Sequence, residues 1–263
     1  MQIALINLAS QDARWRAASR QFFDLGLDPV RQEAIAGAAL SDAERAALYA
    51  ERLNARQYHK PLLPGEIGCY ASHLQSWRAL VERGDRAMAV FEDDIEIDAD
   101  LAQVLEAVSR LATPWDVVKL IGRRKEKIRE SVPLSRGRNL VSYRRVPSLT
   151  GAYLITSRGA QKLLQRHPPF GRPVDVDIRH WWEHDLRVLG VHPYPARGAP
   201  SSRDSTIEDR EIGACLTSRA KKLVMQTRYS VANWWATRAQ EPLVPHGGRQ
   251  APRPKWSAGR DAI

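Results

Sequence analysis

Ala87-Met88-Ala89-Val90-Phe91-Glu92-Asp93-Asp94 is an apolar run that ends in three consecutive acids. A short apolar run of this kind reads as a buried strand of the sort found in parallel sheets. Open α/β sheets bind their ligands just past the carboxyl ends of such strands. Three carboxylates held together there repel one another. A divalent cation is the usual compensation, because hard cations prefer oxygen ligands. Residues two apart in a strand share a face, so Glu92 and Asp94 are expected to point the same way and share one metal. The other reading is a solvated loop start or a helix cap. The alternation Asp94, Glu96, Asp98, Asp100 also suggests an EF-hand-like loop. That loop needs Gly at its sixth position and a helix in front; this chain has Ala99 and a strand.

The stretch before the acids narrows the choice. Pro64-Gly65-Glu66-Ile67-Gly68-Cys69-Tyr70-Ala71-Ser72-His73-Leu74-Gln75-Ser76-Trp77 leads through a helix and a turn into the strand. This resembles the pattern G-E-[IL]-G-C-[FY]-x-S-H-x-x-x-W, then an apolar strand ending in E-D-D, of the family 25 glycosyltransferases. That family builds bacterial lipopolysaccharide and includes collagen galactosyltransferases. Ile6-Asn7-Leu8 with Asp12-Ala13-Arg14 resembles its opening strand and Arg-bearing helix. Gly151-Ala152-Tyr153-Leu154-Ile155 with Arg158-Gly159-Ala160, and Pro173-Val174-Asp175, resemble two later segments. The resemblance covers about residues 2 to 205.

Composition sets the outer bounds. A chain of 263 residues can bury one good core. No apolar run approaches the roughly 20 residues of a membrane span. Met1-Gln2-Ile3-Ala4-Leu5-Ile6 is expected to be a first strand, without the basic leader of a signal peptide. Cys69 and Cys215 lie far apart and suit a reduced compartment. Forty Lys and Arg against thirty Asp and Glu give a net charge of +10. The excess clusters at 123–129, at Arg136, Arg138, Arg144 and Arg145, and at 219–222. Such patches attract nucleic acid, anionic lipid or phosphorylated glycans. No zinc-finger spacing, RNP motif or helix-turn-helix supports a specific nucleic-acid partner. A peripheral place on the inner face of the cytoplasmic membrane is the expectation.

Along the chain, residues 2–8 read as strand and Ser10 as the cap of a helix from Gln11, carrying Trp15, Ala18, Phe22 and Leu25. A second short strand is expected at Ala34–Gly37, and Ser41-Asp42-Ala43-Glu44 has the form of a capping box. Helices are expected from Gly65 to Arg83 and Leu101 to Leu111, and a strand at Trp115–Ile121. Residues 123–138 read as a long polar loop. Leu140–Val146 and Ala152–Thr156 read as paired strands, Ser157 as the cap of a helix through Leu164, and Trp181–Leu189 as a short helix. Helices within 212–238 carry Trp234 and Trp235 on an interaction face, and the chain from Glu241 reads as disordered. The alternation indicates an α/β sandwich. The resemblance implies the GT-A-like nucleotide-sugar-binding fold, a mixed sheet flanked by helices with a helical C-terminal extension. The domain expectation is 1–210 for the transferase unit, 211–240 for the extension and 241–263 for a basic tail.

Transfer from a nucleotide sugar needs the departing diphosphate neutralised and the attacking hydroxyl deprotonated. Asp94 with Glu92 would hold Mn²⁺ or Mg²⁺; zinc is not expected, because no Cys or His pair has its spacing. The resemblance assigns the base to Asp175, with Asp177 two residues on and Glu183, His184 and Asp185 as rivals. Asn7 and Arg14 are candidates for the uridine end and the diphosphate of a UDP-sugar. Glu66, Ser72, His73, Glu92 and Asp93 complete the expected substrate contacts, and Trp77 reads as core. The acceptor is a glycan or glycolipid, and the galactosyl-transferring relatives imply inversion. Two other readings stand beside this one: a basic nucleic-acid-binding protein, and an inactive scaffold of the same fold.

Overall fold

The computed structural model describes residues 1–123, 125–199 and 216–243, and of 216–219 the backbone alone. Its centre is a mixed eight-stranded sheet built from β1 (Gln2–Asn7), β2 (Pro29–Glu33), β3 (Ala87–Glu92), β5 (Val117–Lys119), β6 (Ile128–Ser135), β7 (Arg138–Tyr143), β8 (Ala152–Thr156) and β9 (Val188–His192). The spatial order is β2-β1-β3-β8-β5-β9-β7-β6. β2, β1 and β3 run parallel, β8 runs against both β3 and β5, and β6 and β7 form a hairpin at the far edge. β4 (Ile95–Ile97) and β10 (Ala196–Gly198) pair separately, antiparallel.

The apolar run before the acids is β3, and its alternation splits two cores. Met88 and Val90 join one cluster with Ile67, Leu74 and Trp77 of α4 (Pro64–Glu82), Leu163 of α6 (Ser157–Leu164) and Ile178 of α7 (Val174–Arg179). Ala89 and Phe91 join the other with Phe22 of α1 (Asp12–Phe23) and Val104 of α5 (Leu101–Ser109). Helices therefore cover both faces, as a sheet with parallel strands requires. Phe22 meets Phe91 edge to face with ring centroids 5.0 Å apart.

α4 is specified locally. Pro64 opens it, where a missing N–H costs nothing. Glu66 Oε2 accepts the backbone N–H of Leu63 at 2.7 Å, and Gly84 ends it at φ 69°, the left-handed position that favours glycine. The expected capping box at Ser41 is present at the start of α2 (Asp42–Leu48).

Several expectations need correction. The second strand is Pro29–Glu33, ahead of Ala34–Gly37, and the cap position of α1 is Gln11, with no side-chain bond from it. Thr156, one residue before Ser157, caps α6 by accepting Gly159 N–H. Within the loop expected at 123–138, Ile128–Ser135 is a strand, β6, that forms a hairpin with β7. β7 pairs with β6 and β9, and β8 with β3 and β5, so the two strands expected to pair do not. Of the helix expected at 181–189 only a single 3₁₀ turn exists at Trp181–Glu183, and β9 begins at Val188.

The C-terminal α8 (Leu216–Ala239) lies against the body. Asn233 donates to the Arg144 carbonyl at 2.7 Å, and Arg129 donates to the Thr237 carbonyl at 2.7 Å. Among the described residues no helix is long and apolar enough to cross a membrane. The tail expected to be disordered lies, beyond Leu243, outside the described residues.

Candidate active site

The parallel register of β1 and β3 sets Ile6 opposite Glu92, so Asn7 comes level with Asp93. Asn7 is buried, and its amide is fully engaged. Nδ2 donates to Asp93 Oδ2 at 2.6 Å and to the Gln11 carbonyl at 3.0 Å. Its Oδ1 accepts from Arg31 at 2.9 and 2.5 Å. Asn7 is thus a bracket between β1, β2 and the acids and has no free hydrogen-bonding group for a uridine. Arg14 stands 3.6 Å from Asp93 and is about 29% exposed at its side chain, so Asp93 is matched by a cation that still meets solvent.

Glu92 turns to the opposite face. Its Oε1 accepts from Thr150 Oγ1 at 3.1 Å and lies 3.2 Å from His73 Nε2. His73 Nδ1 lies 2.9 Å from the Tyr153 hydroxyl, which accepts from Trp77 Nε1 at 2.9 Å. Trp77 can only donate. The tyrosine proton is therefore left for Nδ1, and Nε2–H faces Glu92. Burial pushes the Glu92 carboxyl up. The His73 and Thr150 hydrogen bonds and the Lys119 charge outweigh it, and Glu92 titrates below its usual range.

Asp94 receives no such support. Among the described residues no other side chain donates to it. Burial, then the charges of Glu92 and Asp93, raise its carboxyl to about 6, against a smaller pull from Arg14. The three acids thus divide the work: Asp93 is matched by Arg14 and Asn7, Glu92 by His73 and Thr150, and Asp94 is left short of positive charge. Carboxylate oxygens such as those of Asp94 and Glu92 suit a hard divalent cation, whereas the ligand atoms that lie within 4.8 Å of one another here are those of Cys69, His73 and Glu92. The common face expected for Glu92 and Asp94 belongs to strand geometry, and β3 ends at Glu92.

Opposite stand Lys119 and Asp175. Lys119 ends β5, is buried, and donates Nζ to the Leu149 carbonyl. Burial lowers its ammonium to about 8 despite the charges of Asp175 and Glu92. Leu149 takes a left-handed φ of 76°. Its N–H reaches Asp175 Oδ2 at 3.4 Å, while Thr150 next to it holds Glu92. Asp175 Oδ1 accepts its neighbour's Val176 N–H at 2.8 Å near the start of α7. The short strap at 149–150 therefore ties the proposed base to the acids. Cys69 lies beneath: burial, then the charges of Glu92, Asp175, Asp94 and Glu66, raise its thiol well above the usual range. It stays a neutral thiol.

A model of the family described as "Glycosyltransferase family 25 (LPS biosynthesis protein)" matches residues 1–178. The chain belongs to glycosyltransferase family 25. Among its relatives, procollagen galactosyltransferase 1-B of Xenopus laevis is 30% identical over 73% of this chain and 35% of its own length. Human procollagen galactosyltransferase 2 is 29% identical over 81% of this chain and 39% of its own. The mouse inactive glycosyltransferase 25 family member 3 is 29% identical over 63% and 31%. The chain spans about a third of the length of these curated relatives.

Several family 25 motif residues serve the scaffold. Ser72 Oγ accepts Ile35 N–H and donates to the Gly68 carbonyl, both at 2.8 Å, which fastens α4 to the segment after β2. It is buried and has no group left for substrate. Gly68 is required there, because a Cβ would strike the Ile35 carbonyl oxygen. Glu66 caps α4 and pairs with Lys60 at 3.8 Å. Trp77 is core, as expected, and also orients Tyr153.

Asp177 needs the largest correction. In a helix, residues two apart are turned by about 200°, so Asp177 points inward while Asp175 faces the site. It is buried, accepts from Tyr70 Oη at 2.6 Å and Arg172 Nε at 2.5 Å, and lies 2.8 and 3.3 Å from Nε2 of His167 and His184. Burial pushes its carboxyl up, but Arg172 and the two histidines hold it well below the usual range. Such a group accepts no proton from a substrate. Glu183 is taken by Arg172, and Asp185 stands fully exposed beside Lys162. His167, Asp177 and His184 do bring three ligand atoms within 4.8 Å. The buried Arg172 guanidinium already supplies the cation there.

Cys69, His73 and Glu92 form a second such trio. Cys69 and His73 lie one helical turn apart on α4, so the chain does hold a Cys/His pair at close spacing, contrary to the expectation that it has none. Lys119, Arg31 and Thr150 were also missed. Only Lys119 left a trace, as a charge inside the apolar run Val117-Val118-Lys119-Leu120-Ile121.

Proposed function

We propose that the protein transfers a hexose, galactose before others, from a UDP-sugar to a bacterial surface glycan such as lipopolysaccharide core, with inversion at the anomeric carbon. The observation that carries this reading is an under-neutralised carboxylate, Asp94, in the acid cluster whose Glu92 is joined by the strap at 149–150 to the partly exposed Asp175. The similarity to procollagen galactosyltransferases supports galactose, and the family's link to lipopolysaccharide biosynthesis supports the glycan. The GT-A-like designation belongs to this proposal too.

Asp94 and Glu92 would hold Mn²⁺ or Mg²⁺, which would neutralise the diphosphate of the leaving group. Arg14, partly exposed beside Asp93, supplies a further positive charge suited to phosphate oxygens. Asp175 takes the proton of the attacking hydroxyl as its oxygen bonds to the anomeric carbon. The bond from that carbon to the diphosphate breaks, and UDP leaves with the electron pair. One base suffices for such a single displacement. His73 and Thr150 hold Glu92 ionised and oriented throughout. A peripheral place on the inner face of the cytoplasmic membrane belongs to the same reading, since a growing surface glycolipid is held there.

A thermal-shift series of nucleotide sugars with and without Mn²⁺ tests the donor, because a ligand of the folded state alone raises Tm. UDP-galactose should shift Tm only with metal. Asp175→Asn should keep that shift and lower turnover by about 10² to 10⁴-fold. Turnover within a few-fold of wild type would remove Asp175 as base. A metal-dependent shift with no turnover on any glycan would favour the inactive scaffold, which the similarity to an inactive mouse relative keeps in view.

A further inference from the structure

α8 presents two faces. Tyr229 and Asn233 are buried against the body, where Tyr229 lies between the guanidinium groups of Arg145 and Arg179 at 4.8 and 4.9 Å. The outer face carries Leu223, Val224, Val231, Trp234 and Trp235, exposed at 65, 56, 54, 48 and 61%. Their spacing of one, eight, eleven and twelve residues from Leu223 puts them on a single stripe of a 3.6-residue helix, about 18 Å long. Isolated exposed apolar residues need no explanation, but a contiguous stripe with two tryptophans marks a contact surface.

The charge around the stripe says what it meets. From Leu216 to Gln240 the sequence holds five Lys and Arg and no Asp or Glu. Arg238 stacks on the Trp234 ring at 3.5 Å, and Arg145 joins Leu223, Val231 and Trp234 in lining one groove. A second copy of this chain, at net charge +10, does not complement such a face. Neither does its own segment 244–263, with four Lys and Arg and one Asp. A nucleic acid would match the charge and leave the aliphatic side chains in water. An apolar stripe with tryptophans, interspersed with the neutral Gln226, Thr227 and Ser230 and with no charge beside it but basic ones, is the composition of a helix lying in the interface of an anionic bilayer.

We propose that α8 is the membrane-docking element: its outer stripe enters the headgroup boundary of an anionic lipid surface, and its Lys and Arg meet the lipid phosphates. The inference deepens the reading of a membrane-borne acceptor and rests on that reading only for its purpose. The basic segment 123–129, the other source of positive charge, is partly committed elsewhere. Arg129 holds the end of α8 through the Thr237 and Gln240 carbonyls. The placement also suits transfer. Tyr229 of α8 meets Arg179, the last residue of α7, whose other end carries Asp175. A six-residue helix, about 9 Å, thus separates the proposed base from the docking helix.

The test is flotation of the full chain with vesicles of phosphatidylcholine alone or mixed with phosphatidylglycerol, at low and high salt. Wild type should float with the anionic vesicles at low salt and be released by high salt. Trp234→Ser with Trp235→Ser should cut the bound fraction about tenfold or more, and Lys221→Gln with Lys222→Gln should cut it less. Lys125→Gln with Lys127→Gln should leave it near wild type. Unchanged Tm and an unchanged UDP-galactose shift would show that the surface variants fold. Wild type that fails to float at low salt, or a Trp variant that floats as wild type does, overturns the proposal. A dimer that the Trp substitutions dissociate, or DNA binding that they abolish, overturns it in favour of those partners. Turnover on a soluble acceptor judges the transferase reading independently of every one of these outcomes.

Discussion

Two carboxylates, the part-buried Asp94 and the fully buried Asp177, end in opposite electrostatic states. Asp177 gathers Arg172, Tyr70, His167 and His184 around it and titrates well below the usual range. Asp94 meets two like charges and burial, and titrates near 6. The first arrangement holds α7 to α4 and to the loop before it. The second stores repulsion that a cation would relieve. The proposed function and the structural role fall to different acids, and the difference lies in the company each keeps rather than in residue type.

The comparison breaks most visibly at Asp94. Asp94→Ala should abolish metal-dependent turnover, by more than about 10³-fold, while the protein stays folded, because one member of a repelling cluster is removed. UDP release from UDP-galactose with Mn²⁺, beside a melting curve, reads both. Unchanged turnover would take Asp94 out of the site. The matching substitution at Asp177 should do the reverse. Asp177→Ala leaves the buried Arg172 short of its partner, at a cost of about 3–5 kcal/mol, or on the order of 10 °C in Tm. A loss below about 1 kcal/mol would mean that Glu183 alone suffices for Arg172.

The smallest effect is the sharpest discriminator, because its sign differs between the two acids. Asp94 has a folded-state value near 6, above its ordinary 3.8. The folded state therefore binds the extra proton, and this group's contribution falls as pH rises from about 4 through 6. Asp177 is held below 3.8, so its contribution is present above about pH 4 and is lost as pH falls further. Asp94→Asn should accordingly raise stability at pH 7.5 by on the order of 1–3 kcal/mol and change little at pH 4. Urea melts across that range measure it. An equal gain at both pH values would show that the repulsion does not act through the ionised form.

Legibility followed local physics. β3 and α4 were plain because each declares itself over a few turns: an apolar run, a proline start, a glycine stop at φ 69°. β6 was hidden because it is an edge strand. It pairs only with β7, its side chains are mostly part-exposed, and Pro133 is tolerated at an edge. A strand of that kind has the composition of a loop. β9, Val188–His192, was hidden for a different reason: it follows two adjacent tryptophans and a single 3₁₀ turn that imitate a helix start. At the site, Glu92, Asp93 and Asp94 announced themselves by charge. Their different surroundings, with His73 beside Glu92, Arg14 beside Asp93 and only like charges close to Asp94 apart from a smaller pull from Arg14, did not, because those partners come from segments far away along the chain.

What the sequence determined by itself was the kind of chemistry and its address: an acidic cluster at the end of a buried strand, in a motif that belongs to glycosyltransferase family 25. Those features are local, since side-chain charge and apolar run length need no partner to be read. Only the tertiary structure decided which acid is left unneutralised, that Asp177 faces away from Asp175, that Lys119 and the strap at 149–150 join the two halves of the site, and that the tryptophans of α8 remain uncovered. Each of those depends on which groups approach within a few ångströms after folding. Coulomb and hydrogen-bond energies fall off over that same distance.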